Sequence, residues 1–242
     1  MIKEFFVDNK IGITFELFVI THIVLMLSLI LSLFLLHKNR DKLKSLSSDI
    51  KRKYSLYFTC FLFFNMLIYY LELVYYGNYN WRTNLPLHFC FISGYLYMYS
   101  VYYEKKELYK NIYFFAFIGP IPAIILPELK SSFDSFLFYQ QVISHHFFLI
   151  FSMYTFYAYD ISINKKDAVN SFMYAMSIFG IMYIFNSTFD TNYIMQNRLP
   201  NHVINIMPFL KEISNPMYIL IITGIIMYGL AYIPIYYKNK SK

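Results

Sequence analysis

The sequence predicts an all-α fold: a polytopic membrane protein built as a seven-transmembrane-helix bundle, N-terminus outside and C-terminus cytoplasmic. Three observations predict it. The 242 residues are 58% hydrophobic and only 14% charged, whereas a soluble chain is about a quarter charged. The charges fall in short clusters between seven near-continuous apolar runs, each about 20 residues long, the length a helix needs to cross a hydrocarbon core. Finally, the Lys and Arg residues segregate to alternate links, as the positive-inside rule requires.

The first run, 13–36, is too long for a cleavable signal. The preceding "MIKEFFVDNKIG" also lacks a basic start and a small-residue cleavage site. Runs 54–76 and 85–103 follow, the latter opening on Pro86, whose missing N–H costs little in a first helical turn. Run 111–128 is interrupted by Gly119, Pro120 and Pro122. Runs 136–160, 168–189 and 214–237 complete the set. Most links are short and favour antiparallel neighbours. The exception, 190–213, is long, polar and punctuated by Pro200 and Pro208. No repeat and no second domain is apparent, so residues 1–242 read as one integral membrane domain.

The links after the first, third, fifth and seventh runs hold fifteen of the 21 Lys and Arg residues. That bias places them in the cytoplasm, and an odd span count agrees with it. The net charge of +7 is spread over these links and suits anionic headgroups rather than nucleic acid. Cys60 and Cys90 form no disulfide framework. Heavy use of Ile, Asn, Lys, Tyr and Phe is what an AT-rich genome imposes, so most of the 26 Tyr and 26 Phe read as lipid-facing filler.

Polar residues within the spans fall almost entirely in the outer half. At 1.5 Å per residue, Glu16 and His22 lie in the outer part of span one, and Glu72 about a turn from the outer end of span two. His88 and Cys90 occupy the first turns of span three. "FYQQVISHH" places Gln140 and Gln141 in the outer third of span five, with Ser144, His145 and His146 deeper. Asn186 closes span six. Ionisable groups are costly in hydrocarbon and usually mark function, so a layer drawn from five spans predicts one polar cavity open to the outer face. The cytoplasmic half reads as dry.

Helical geometry sorts this set. His88 and Cys90, two residues apart, point to different faces. Gln141 and His145 share a face by i,i+4 spacing with Ser144 beside them, while His146 is turned away and reads as packed. The catalytic candidates are Glu72, His88, His145 and Cys90, and the substrate-binding candidates Gln140, Gln141, Ser144, Asn186 and Asn192. Histidine can shuttle protons beside an orienting carboxylate. Cys90 reads equally as a small buried hydrophobe or a thiolate nucleophile, and His22 reads as packing. No H-E-x-x-H element is present, and neither a metal nor a cofactor is expected.

"LPLHFC" at the start of a span, then "FYQQVISHH", then "DTNYIMQNRLP" before the last span, resembles the YwaF-like family of bacterial integral membrane proteins. That family is related to eukaryotic transmembrane protein 164. The matching elements are Leu85-Pro86-Leu87-His88 with Cys90, Ser144-His145, and Asn192-Tyr193 with Pro200, and Glu72 also fits. The resemblance covers essentially the whole chain and implies a bacterial plasma membrane. The eukaryotic relative is regarded as a phospholipid acyltransferase with a cysteine nucleophile in a Pro-Cys-His element. Laid over Pro86-Leu87-His88, that cysteine position is Leu87, so the nucleophile departs from the pattern while both histidines stay.

Three functions compete on this reading. A lipid acyltransferase or hydrolase would use His145 and His88 on an ester entering between helices. A small-solute transporter would use the Gly119-Pro120 break. A ligand-binding or assembly protein would use the outer pocket without catalysis. Lipid is then both solvent and candidate substrate; the oligomeric state is not legible.

Overall fold

The computed structural model describes residues 5–6, 15–129, 132–213 and 215–240, and among these it contains helices and turns but no strand. The start of the first expected span, residues 13 and 14, and Ser214 at the start of the seventh lie outside them. Five helices are long and apolar enough to cross a membrane: α1 (Ile20–Lys38), α3 (Ser48–Tyr75), the pair α6 (Lys106–Ile118) and α7 (Pro120–Ile125), α10 (Lys165–Phe189) and α12 (Pro216–Lys240). They coincide with expected spans one, two, four, six and seven.

The other two expected spans differ in kind. Span three is the 14-residue α5 (Phe89–Tyr102), about 21 Å long. Its helix starts only after Pro86-Leu87-His88, because His88 is extended and serves as the N-cap. Span five is α8 (Phe136–Val142), a π turn (Ile143–Phe147) and α9 (Phe148–Ala158). Short helices α2 (Arg40–Ser45), α4 (Trp81–Asn84) and α11 (Asn201–Ile206) lie in the links.

Two helices form the centre. α6 packs against α5, α9, α10 and α12, and α9 against α1, α2, α3 and α6. Residues 112–117 of α6 are all buried, as is every residue of α9 except Ile150. A helix that is apolar all round belongs inside a bundle. The outer helices are apolar on their free faces: Val24, Leu27, Ile30 and Phe34 on α1, Ile181 and Ile184 on α10, Ile222 and Ile225 on α12 are all exposed. Those faces suit lipid.

The tyrosines only partly fit the expectation of lipid-facing filler. Tyr97, Tyr109, Tyr113 and Tyr193 are among the largest fully buried side chains, and a buried phenol needs a hydrogen-bond partner. Tyr113 donates to the Ala231 carbonyl (3.0 Å), tying α6 to α12, and Tyr109 donates to the Ser152 carbonyl, tying α6 to α9. Tyr97 meets the Thr155 hydroxyl (3.0 Å) between α5 and α9. Ser171 donates to the Asn111 carbonyl (2.6 Å) and therefore accepts from Tyr228 (2.8 Å), which joins α10, α6 and α12. Hydroxyl bonds thus set helix pairing where burial alone is non-directional.

Charged contacts lock the end that carries the basic links. Arg52 donates to the Val101 and Tyr102 carbonyls (2.7 and 2.6 Å), satisfying two of the orphan groups at the end of α5. Asp160, in the left-handed conformation just past α9 (φ 48°), accepts from Lys44 (2.7 Å) and Lys238 (2.9 Å). Lys238 is buried, donates to the Ile161 carbonyl (2.7 Å) and sits over the Phe156 ring. One carboxylate therefore joins α2, α9 and α12.

Burial would raise the Asp160 pKa, but hydrogen bonds and charge from Lys44 and Lys238 outweigh it and hold the carboxyl down at about 2. A depressed carboxyl stabilises the fold above its free value near 3.8, and that contribution is lost as pH falls through the folded value. Asp160→Asn keeps a residue that tolerates the left-handed conformation and removes the charge that Lys44 and Lys238 pair with. It is expected to cost about 3 kcal/mol. Thermal midpoints in detergent check this: the gap between wild type and variant should be full near neutral pH and shrink as the pH approaches the folded pKa.

Candidate functional site

Many of the polar residues singled out in the spans sit at two interruptions in neighbouring helices. The first is the end of α7. Pro120 and Pro122 carry no N–H, so α6 breaks at Gly119, and α7 ends after six residues. The last carbonyls of a helix have no intrahelical partner, and here side chains take them. Gln141 donates its amide to the Ala123 carbonyl (3.1 Å), His22 its Nε2–H to Ile124 (2.8 Å), and His202 its Nε2–H to Leu126 (3.2 Å). Three separate elements thereby converge on one buried helix end.

The second interruption is the π turn, which packs against α3 and α7. A π turn inserts a residue into an α-helix and unsettles its hydrogen-bond ladder. The neighbouring carbonyls take side chains: Ser144 donates its hydroxyl to Gln140, and His145 donates Nδ1–H to Gln141 (2.9 Å). Gln141 thus meets the His145 ring through its carbonyl, and with His146 and His22 it also lines a space of about 10 Å³, enough for about one water.

Hydrogen-bond partners fix the tautomers. His22 Nδ1 accepts the Phe18 N–H (3.1 Å) while Nε2 donates to a carbonyl, so both nitrogens are engaged and the ring caps the start of α1. Glu16, expected within the span, lies ahead of the helix and is exposed. His145 is different. Its Nδ1 must carry the proton, because a carbonyl only accepts. In the neutral ring Nε2 then keeps its lone pair, with no hydrogen-bond partner among the described residues. His145 and His146 are both buried, and neither His146 nitrogen is hydrogen-bonded among those residues.

His88 belongs to a second cluster. Its ring meets the Tyr193 ring edge-on, centroids 5.1 Å apart. Tyr193 donates its hydroxyl to the Trp81 carbonyl and accepts the Leu85 N–H (3.0 Å), pinning the stretch that leads into Pro86 to the 190–213 link. That link is itself held by Asn186. Its amide donates to the Tyr193 carbonyl (2.8 Å) and Gln196 (2.9 Å), and its oxygen accepts from Thr191 (2.7 Å) and the Tyr193 N–H (2.9 Å). Asn192 accepts the Asn197 and Arg198 amides (2.9 and 3.1 Å) and donates to the Arg198 carbonyl (2.9 Å). The link needs these bonds because Ile194, a β-branched residue, sits at φ 60°, a strained conformation.

The expected residues thus divide. His145, Ser144, Gln140 and Gln141 gather at the π turn, and Glu72 is buried on α3, which packs on that turn. His88, Asn186 and Asn192 gather around Tyr193. Cys90 faces elsewhere: a Cβ placed on Gly119 would lie 3.6 Å from the Cys90 Cα, so it packs at the α6 break. Asn186 makes as many hydrogen bonds as an amide can, which makes it a positioning residue. Among the described residues no three His, Cys, Asp or Glu gather in a metal-binding group.

Asn65 is the residue that sequence reasoning missed. It is buried on α3, and its amide nitrogen has no hydrogen bond among the described residues. It lies seven residues before Glu72, two helical turns deeper on the same face. That spacing was available in the sequence.

Asn186→Ala is expected to lower stability by about 3 kcal/mol, since it strands several buried groups at about 1 kcal/mol or more each. The checks are the thermal midpoint and protease sensitivity within 190–213. Cleavage there should rise while α6 and α9 stay protected.

A search of curated proteins finds no match, and a search of solved structures finds none. A model of the TMEM164 family matches residues 12–233. That span takes in both interruptions, the histidines and the Tyr193 link, and with the apolar helices it marks a multi-pass membrane protein. The chain belongs to the TMEM164 family.

Proposed function

We propose that this TMEM164-family chain is a membrane-embedded lipid acyltransferase or hydrolase in which His145 is the general base. It spans a bacterial plasma membrane seven times, from an outside N-terminus to a cytoplasmic C-terminus, with α5 and the 136–158 run as its third and fifth spans. The short α5 reaches the outer face through the turn at Pro86 and Leu87 that precedes His88. The chain then falls in the bacterial YwaF-like branch.

One observation carries the reading. The Gln141 carbonyl holds the His145 Nδ1 proton, so Nε2 is the base within a buried π turn. Nε2 takes a proton from water as the oxygen attacks the ester carbonyl carbon. The tetrahedral intermediate collapses, its C–O bond breaks, and the departing alkoxide takes the proton back from the imidazolium. In a transferase an acceptor hydroxyl replaces water. Glu72 stabilises the cation from α3, Ser144 and Gln140 line the approach, and His88 on Tyr193 orients the substrate. Water or an acceptor hydroxyl suits the chain better than a thiol, because Leu87 stands at the relative's cysteine position and Cys90 packs against Gly119.

A transporter is the second reading, favoured by the broken helix at Gly119, since broken helices often form ion sites. The carbonyls at the end of that helix already accept from Gln141, His22 and His202, which weighs against it.

Whole-cell lipid profiles of cells expressing wild type, His145→Ala, His88→Ala and Cys90→Ala at matched levels test the proposal. A lipid species that changes with wild type should be lost at least a hundredfold in His145→Ala, the low end for removing a general base. It should fall in His88→Ala and persist in Cys90→Ala. A lipid change that survives in His145→Ala sinks the mechanism, and solute flux in proteoliposomes that depends on His145 would replace it with transport.

A further inference from the structure

A cleft of about 340 Å³ opens at the end opposite the histidines, between the start of α3, the end of α5, the start of α6 and the end of α9. Its size falls within the range of small-ligand sites, roughly 300–1,000 Å³. The sequence gives no hint of it, because its walls come from four segments whose polar residues sit at helix ends.

The rim is basic. Lys51 and Lys106 line it together with Glu104. Arg52 pairs with Glu104 (3.4 Å) and offsets its charge, so two ammonium groups stand in excess. Lys51 donates one proton to the Lys44 carbonyl (2.6 Å) and keeps two others. The floor has the opposite character. Ser100 donates its hydroxyl proton to the Tyr97 carbonyl (2.8 Å), Thr155 to the Phe151 carbonyl (3.0 Å) and Tyr109 to the Ser152 carbonyl. Each of these hydroxyls lines the cleft with its proton turned into the protein; Thr155 also accepts from Tyr97 (3.0 Å) and Tyr109 from Ser152 (3.3 Å), so these three can offer the cleft a lone pair but no proton.

A ligand that satisfies both layers must be anionic at the rim and a hydrogen-bond donor at the floor. We propose that this cleft binds a phosphate ester bearing a hydroxyl or ammonium donor, its phosphate against Lys51 and Lys106 and its donor against Ser100, Thr155 and Tyr109. The site is separate from the histidine cluster and does not depend on its chemistry.

The test is native mass spectrometry of the full chain in detergent, titrated with short-chain phosphatidylethanolamine, phosphatidylglycerol and phosphatidylcholine of one chain length. The choline headgroup keeps the phosphate and lacks the donor. The first two should bind about tenfold more tightly than the third. Lys51→Gln with Lys106→Gln should weaken all three about tenfold. Ser100→Ala, which preserves packing, should narrow the preference for ethanolamine over choline. Glycerophosphoethanolamine separates the sources: competition identifies the headgroup alone as sufficient, and none, with lipid binding intact, identifies a membrane lipid. Equal affinities for the three lipids in wild type, or unchanged binding in the lysine variant, would overturn the proposal. Binding should be unchanged in His145→Ala; its loss there would move the ligand to the histidine cluster and overturn the assignment.

Discussion

The half of the protein opposite the basic links depends on a helix that stops inside it. Carbonyls at a buried helix end cost several kcal/mol each if nothing donates to them. Pro120 and Pro122 fix where the break falls, and three donors must then arrive from elsewhere in the chain. Gln141 comes from α8, His22 from α1 and His202 from the long link. The placement of α1 against α7, of the π turn beside it and of the 190–213 link over both follows from that requirement. Shape complementarity then fills the remaining space, with Phe89 and Cys90 lying close on Gly119.

Much of this was legible as composition and little of it as geometry. Apolar runs give the positions of the five long helices, because burial in lipid leaves an unmistakable length of uncharged sequence. The polar residues within those runs were equally readable. Their division into a π-turn cluster and a Tyr193 cluster was not, for two physical reasons. Periodicity presumes a regular ladder, and the π turn interrupts it at Ile143–Phe147, where the Gln141 carbonyl meets the His145 ring while Gln141 shares a small space with His146. Loop hydrogen bonds obey no period at all, so nothing in "DTNYIMQNRLP" announces that Asn186 closes four bonds around Tyr193.

The tyrosines show why compositional bias is a poor guide to role. A genome rich in AT supplies Tyr and Phe everywhere, and Tyr99, Tyr102, Tyr183 and Tyr236 stand exposed, as filler would. Within α5, α6 and α12, however, phenol hydroxyls reach across to named carbonyls and hydroxyls. Lipid competes with apolar packing for every methylene but offers no partner for an O–H in the bundle centre. The hydroxyl therefore selects the helix pair, and the ring fills the volume. The same bonds turn protons away from the cleft at the basic end, so helix pairing there also fixes what the cleft can recognise.

Five histidines at the end opposite the basic links illustrate how one residue type is sorted by its partners, and of these His88 meets the Tyr193 ring. His22 has an acceptor on one nitrogen and a donor on the other, so protonating it would break the bond to the Phe18 amide. His202 donates to a carbonyl at the rim of the same helix end. His146 faces a space of about 10 Å³, too small for a reacting ester. His145 combines a protonated Nδ1 held by a backbone carbonyl with a second nitrogen free to act on a proton from outside the ring. A backbone acceptor cannot rotate away or titrate, so this tautomer persists whatever the substrate does. The π turn brings the Gln141 carbonyl to the ring, and the irregularity that hid the geometry from the sequence is what equips this histidine as a base.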